Sequence, residues 1–211
     1  YARGLEALSA SKFEDALKNF SSAIERDPKF GGAYGAMAIA SFNMDRRQDA
    51  VKYLKAALEH LDSMTERERY RTRGFYYLVT DDYQACVKEY GDLIARYSVD
   101  ASARNNRALC FSYLRNIPAA LEETRHVVKI LPNRTLYQQN LAQYLAYAGD
   151  FSGAERQVRT IKQPGLFGLL SLAFAQIGQG RVLDAEETYR SLGALDEQGA
   201  SYTASGLADV A

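Results

Sequence analysis

The chain has 211 residues, 47% of them hydrophobic and 25% charged, a balance that suits a globular protein and argues against a disordered polymer. Lys plus Arg and Asp plus Glu number 26 each, so no net field gathers nucleic acid or an anionic membrane around the molecule. The longest charge-free apolar stretch, 165–179, is shorter than the roughly 20 residues of a membrane span, and two cysteines, Cys86 and Cys110, are too few for a disulfide framework and are expected as buried free thiols.

Helix formers recur throughout, and the four prolines, Pro28, Pro118, Pro132 and Pro164, all fall near predicted helix boundaries, which makes the chain all-α. A small residue returns at Gly4, Ala38, Gly74, Ala108, Ala142, Ala173 and Ala208, spaced by 34, 36, 34, 34, 31 and 35 residues. Twelve residues further on, a second small series runs Ala16, Ala50, Cys86, Ala120, Ala154 and Ala185. A bulky series follows four residues later at Phe20, Leu54, Tyr90, Thr124, Val158 and Tyr189, weakened only at Thr124. Two antiparallel helices approach closely where each presents a small side chain, and the bulky residue one turn on fills the space between pairs. Each unit therefore hides its apolar face against its neighbour.

In chain order the period divides the sequence into helix pairs over 1–30, 31–64, 65–100, 101–134, 135–164 and 165–199, with one more first helix over 200–211. Ser11 with Glu14, and Thr65 with Glu68, read as capping boxes that start helices near residues 12 and 66. Pro28 and Pro132 stand where second helices stop. The Met64 junction holds two extra residues, and the fifth unit is three residues short before Pro164. Gly149-Asp150 and Gly178-Gln179-Gly180 mark turns between paired helices. The helix carrying Leu166, Phe167, Leu169, Leu170, Leu172, Phe174 and Ile177 is apolar around more than one face, so it either contacts a partner or is sandwiched, and the sandwich is the favoured expectation. The last helix, Ser201–Ala211, leaves Leu207, Ala208 and Val210 without cover, an edge suited to self-association.

These units resemble tetratricopeptide repeats over the whole chain, and the match is fullest from Tyr70 to Ser98, where Tyr70, Gly74, Tyr77, Tyr83 and Tyr90 stand at motif positions with Cys86 in place of alanine. The resemblance implies an all-α, right-handed superhelical solenoid of antiparallel helix pairs, a single domain of six repeats plus one further helix. It also implies a non-catalytic scaffold that binds a protein or peptide in a concave groove lined by first helices. At the matching positions this groove comprises Ile39, Phe42, Asn43, Arg71, Phe75, Leu78, Asn105, Leu109, Tyr113, Gln139, Gln143 and Tyr147. Family members that clamp a terminal carboxylate use Lys and Asn in one unit, Asn in the next, and Lys and Arg in the third. Here Asn106 matches the middle Asn, but Phe75, Leu136 and Asn140 replace three other members, so that clamp is not expected. The runs Met64–Tyr70 and Cys86–Leu93 also resemble repeat regions attached to bacterial serine/threonine protein kinases, which implies as an alternative a regulatory segment of a larger signalling enzyme.

No Gly-rich phosphate loop, His-Arg-Asp or Asp-Phe-Gly run accompanies the repeats, so no kinase activity belongs to these residues. His60 and His126 lie on second helices about two repeats apart, and neither a metal cluster nor a His-based triad is expected. The Glu122-Glu123 and Asp81-Asp82 pairs read as solvated helix faces, and no cofactor is implied. The acceptor patterns at Asn19 and Asn133 read as chance, since Phe20 belongs to the packing series. No targeting segment is visible from Tyr1 onward, and a cytoplasmic location is the favoured expectation. The register makes Ala120 a contact between paired helices, so Ala120→Leu should overpack it and lower stability by about 1–3 kcal/mol, read as a fall in melting temperature.

Overall fold

The structure, a computed structural model, describes residues 1–195 and 197–210, and of residues 197, 198 and 208–210 the backbone alone. Helices follow one another as α1 (Ala2–Ser9) and α2 (Phe13–Arg26), α3 (Gly31–Asn43) and α4 (Arg47–Glu59), α5 (Glu66–Val79) and α6 (Tyr83–Arg96), α7 (Ala101–Tyr113) and α8 (Ile117–Ile130), α9 (Thr135–Tyr147) and α10 (Phe151–Arg159), α11 (Gly165–Gly178) and α12 (Val182–Leu192), then α13 (Glu197–Val210). No strand occurs among the described residues. The chain forms two compact units, residues 1–110 and 111–211, each a stack of antiparallel helix pairs.

The small-residue positions are buried as their spacing requires. Ala16, Ala50, Cys86, Ala120, Ala154 and Ala185 are all fully buried, as are Ala38, Ala108, Ala142 and Ala173. In the first unit the choice between Gly and Ala follows the size of the bulky residue opposite. A Cβ on Gly4 would stand 2.6 Å from Phe20 Cδ1 and one on Gly74 2.8 Å from Tyr90 Cζ, whereas Ala38 belongs to the unit whose bulky residue is Leu54. Thr124, the weak member of its series, is fully buried with its hydroxyl donating to the Ala120 carbonyl at 2.8 Å. On α13 the described contact is Gly206, where a Cβ would overlap the Tyr189 ring. Ala208 and Val210, singled out by the sequence, have side chains outside the described residues. Leu207, expected bare, packs instead on the cluster of Ala173, Ala185, Tyr189 and Leu192, because α13 begins at Glu197 and lies along α12.

Every turn within a pair uses the same closure. Ser11, Asp45, Asp81, Arg115, Gly149 and Gly180 have positive φ of 58°, 58°, 64°, 60°, 81° and 74°, in step with the small-residue series. The next N–H in each case donates to the carbonyl five residues back, as Lys12 to Ala7 at 2.9 Å, Asp82 to Tyr77 at 3.0 Å and Asn116 to Phe111 at 2.9 Å. This is the Schellman closure, which satisfies carbonyls that the helix end would otherwise leave unpaired. It overturns the capping box expected at Ser11 and Glu14. Ser11 is the left-handed residue of the turn, Lys12 precedes the helix without a side-chain cap, and Glu14 pairs with Arg46 at 2.6 Å. At the position after the left-handed residue, Asp82, Asn116 and Asp150 cap the second helices by accepting from Ala85, Ala119 and Gly153 N–H groups. The box at Thr65 and Glu68 is complete.

The irregular joints are local. The extra residues near Met64 form a 3₁₀ turn over Leu61–Ser63, and the short fifth unit loses its residues from α10, only nine residues long. Helices α2 and α8 end two residues before Pro28 and Pro132. The two cysteines depart from expectation, for Cys86 on α6 and Cys110 on α7 are joined in a disulfide, with Cα atoms 6.4 Å apart and both residues fully buried. Spacing along the chain carries no sign of it. The bond arises because the small position on α6 faces the next first helix.

A left-handed non-glycine residue strains the backbone wherever glycine would not. Arg115→Gly should therefore stabilise the protein by about 0.5–1 kcal/mol, seen as a higher midpoint in urea with an unchanged slope.

Candidate functional site

The first helices carry the candidate site, and their residues sort by offset from each small residue. In the first unit a half-open apolar cavity of about 200 Å³ lies between α1, α3 and α5. Its lining repeats three offsets: Gly32 and Glu68 six residues before the small residue, Tyr1, Gly35 and Arg71 three before, and Leu5, Ile39 and Phe75 one after. Leu8, Ala36, Leu54, Met64 and Thr72 complete the wall. The glycines keep it open, since a Cβ on Gly32 would stand 3.5 Å from the Tyr1 hydroxyl and one on Gly35 3.8 Å from Thr72 Oγ1. Burial, and then the Glu68 carboxylate, push the Tyr1 hydroxyl pKa up, so the rim bears no phenolate at neutral pH.

Of the expected groove residues, Ile39, Arg71 and Phe75 meet in this cavity. Ile39 is 41% exposed at its mouth, while Phe75 at 8% forms wall, its ring edge-on to Phe42 at 5.4 Å. Leu78 is buried packing. Asn43 is exposed and donates to the Ile39 carbonyl at 2.8 Å. On α7, Asn105 bonds Asn106 at 3.3 Å and Leu109 is half-buried. Asn106, the one residue matching the carboxylate clamp, donates to the Tyr90 hydroxyl at 2.9 Å and is thereby engaged within the unit.

Arg71 is held by Asp100. The carboxylate is fully buried and accepts from Arg71 Nε and Nη2 at 3.1 and 2.9 Å, from Arg67 Nε at 2.8 Å and from the Ala103 N–H at 3.0 Å. Burial pushes the Asp100 pKa up, but the Arg71 bond, the Ala103 N–H and Arg67 together outweigh it and hold the group below the usual carboxylate range. Both arginines remain partly exposed, Arg71 at 41% and Arg67 at 44%, so Arg71 is a wall held by a carboxylate that it shares with Arg67.

The second unit presents different chemistry. Tyr113, Gln139, Gln143 and Tyr147, all expected groove residues, lie on its first helices. Tyr147 is half exposed, accepts from Gln143 Nε2 at 3.1 Å and stands edge-on to Phe174 at 5.9 Å. Tyr113 is exposed, and Gln139 donates to the Pro164 carbonyl. Behind them Tyr144 is buried, which pushes its hydroxyl up to about 12 although a bond with Ser112 pulls the other way. Helix α11 is not sandwiched, because Phe167 and Phe174 are 52% and 43% exposed. The sequence set Phe174 within an apolar helix for which sandwiching was favoured over partner contact, yet it follows Ala173 as Ile39 follows Ala38, and Leu5 follows Gly4 in the same way. That offset was the signal.

Other candidate chemistry is structural. His60 stacks on Tyr34 at 5.9 Å, His126 bonds the Glu122 carbonyl at 2.9 Å, and Asp81 pairs with Arg47. Among the described residues no group of three His, Cys, Asp or Glu could hold a metal ion, and no helix is long and apolar enough to cross a membrane. The Asp100 cluster makes a pH-dependent contribution. Asp100→Asn should cost about 2 kcal/mol at pH 7, and the difference from the native chain should shrink as pH falls below about 4, where the unfolded chain's carboxylate takes up a proton, and vanish at still lower pH once the native one does; urea titrations across that range measure it.

A family model described as tetratricopeptide repeat matches residues 7–67. Hsp70-Hsp90 organizing protein 3 of Arabidopsis thaliana is 27% identical over 134 residues, covering 61% of this chain, and the chain spans 21% of that protein's length. A thermophilic TPR protein of Thermus thermophilus superposes with a TM-score of 0.71 at 14% identity, over 84% of this chain and 98% of that one. YrrB, described as a TPR protein with an unusual peptide-binding site, does so with a TM-score of 0.57 at 17% identity, over 90% and 100%. With thirteen helices among the described residues and these superpositions, the chain has the helical-repeat fold of tetratricopeptide proteins.

Proposed function

We propose that this chain is a non-catalytic protein-interaction scaffold that docks a peptide or protein on the face of its first helices, with the first unit's cavity taking one apolar anchor side chain. The observation that carries this is the lining: three consecutive first helices contribute the same offsets to one apolar recess. At about 200 Å³ the recess is smaller than the roughly 300–1,000 Å³ of small-molecule sites and suits a single side chain. Its ionisable neighbours already have structural roles, Arg71 on Asp100 and Glu68 on the Thr65 cap, so none is poised for proton transfer.

Two similar proteins support a binding role, the Arabidopsis relative named as an organizing protein and YrrB with its peptide-binding site. The ligand differs from a clamped carboxylate terminus, because Phe75 fills one clamp position and Asn106 is engaged by Tyr90. The kinase-attached alternative rests on Met64–Tyr70 and Cys86–Leu93. Thr65 and Glu68 in the first run have a capping role, and Cys86, Tyr90 and Leu93 in the second have core roles, so no signalling role is needed to account for them.

Peptides selected from a displayed library on the full chain should share one aromatic or large aliphatic position. Ile39→Asp should weaken them by at least about tenfold in fluorescence anisotropy while leaving the melting temperature unchanged. Equal binding by that variant would move the docking site elsewhere.

A further inference from the structure

Two neighbouring first helices of the second unit, α9 and α11, contain no Asp, Glu, Lys or Arg; in the first unit α3 shares this, but the adjoining α5 contains Glu66, Arg67, Glu68, Arg69, Arg71 and Arg73. We infer that the α9–α11 face docks an uncharged, proline-rich segment in the polyproline II conformation. This rests on the scaffold reading above and names the ligand class for the second unit.

Three features select that ligand. The first is charge: a charged segment laid here would lose hydration with no counter-ion on either helix, so an uncharged one is favoured. The second is a set of rings held in place while still open to solvent. Tyr147 and Phe174 meet edge-to-face at 83°, Phe151 braces Phe174 at 6.1 Å, and Gln143 fixes the Tyr147 hydroxyl. Proline rings stack on such surfaces, and aromatic-lined grooves are how polyproline II segments are bound elsewhere. The third is a pair of amides on α9, Gln143 at the rings and Gln139 about one turn before it, against the start of α11. An amide nitrogen has two hydrogens, and the bonds from Gln139 to the Pro164 carbonyl and from Gln143 to Tyr147 each take one. The second hydrogen suits a ligand carbonyl. A helical ligand satisfies its own carbonyls, whereas a polyproline II segment leaves them open and is already ordered before it binds.

The test is anisotropy of a labelled, end-capped, twelve-residue peptide of Pro-Pro-Leu-Pro repeats against the full chain. It is run beside a peptide in which Leu is replaced by Glu, and beside the double variant Tyr147→Ala, Phe174→Ala, checked for native helicity. The expected result is saturable binding that changes little between about 50 and about 500 mM salt and falls at least about tenfold both in the double variant and with the Glu peptide. Absence of binding at about 1 mM peptide, equal binding by the variant, or equal binding of the Glu peptide overturns the inference. So does a dimer in sedimentation equilibrium that the double variant abolishes, since this face would then belong to a second copy. Library peptides that respond to Ile39→Asp while the proline-rich peptide does not bind leave the scaffold reading standing and remove this one alone.

Discussion

Everything in this fold depends on how closely a first helix can approach its second. The approach is set by one small side chain on each, and the bulky residue one turn later adjusts to it. Where Phe20 and Tyr90 stand, the facing position has no Cβ at all; where Leu54 stands, it has a methyl. Spacing this contact about 34 residues apart obliges the intervening turns to close in the same way each time, and the left-handed residues recur in register with it. The offsets that line the first unit's cavity are counted from that same residue, so packing and site share one ruler.

That ruler explains what could be read before any coordinates. Periodic features, the two small series and the bulky one, were legible because each member meets the same environment. So were local ones such as the Thr65 cap and the proline stops. Ser11 misled because its pattern with Glu14 is correct chemistry one residue out of place, the turn having claimed Ser11 for its left-handed position. Asp45, Asp81 and Arg115 hold that position without the glycine that would have announced it. Arg71 stands in the cavity wall, but its partner Asp100 lies 29 residues on, just before α7, which no local pattern connects. Phe174 was hidden by the apolar run around it, which carries no polar face to mark its exposed side.

The two units therefore share a backbone solution and differ in what they show. The first offers a recess beside two arginines gathered on the one Asp100 carboxylate. The second offers two uncharged first helices, α9 and α11, with half-exposed rings. Repeats permit this because the residues that maintain packing are not those at the face, so the face can change without disturbing the stack.

The bond between Cys86 and Cys110 crosses the seam from the second helix of one pair to the first helix of the next. Stacked pairs held only by neighbour contacts can open one at a time from an end, like plates lifted from a pile. A covalent tie across one seam abolishes that freedom locally. Helices α6 and α7 stay joined when the stack opens, so an opening that begins at α1 gains less chain entropy by running past this seam than it would without the bond.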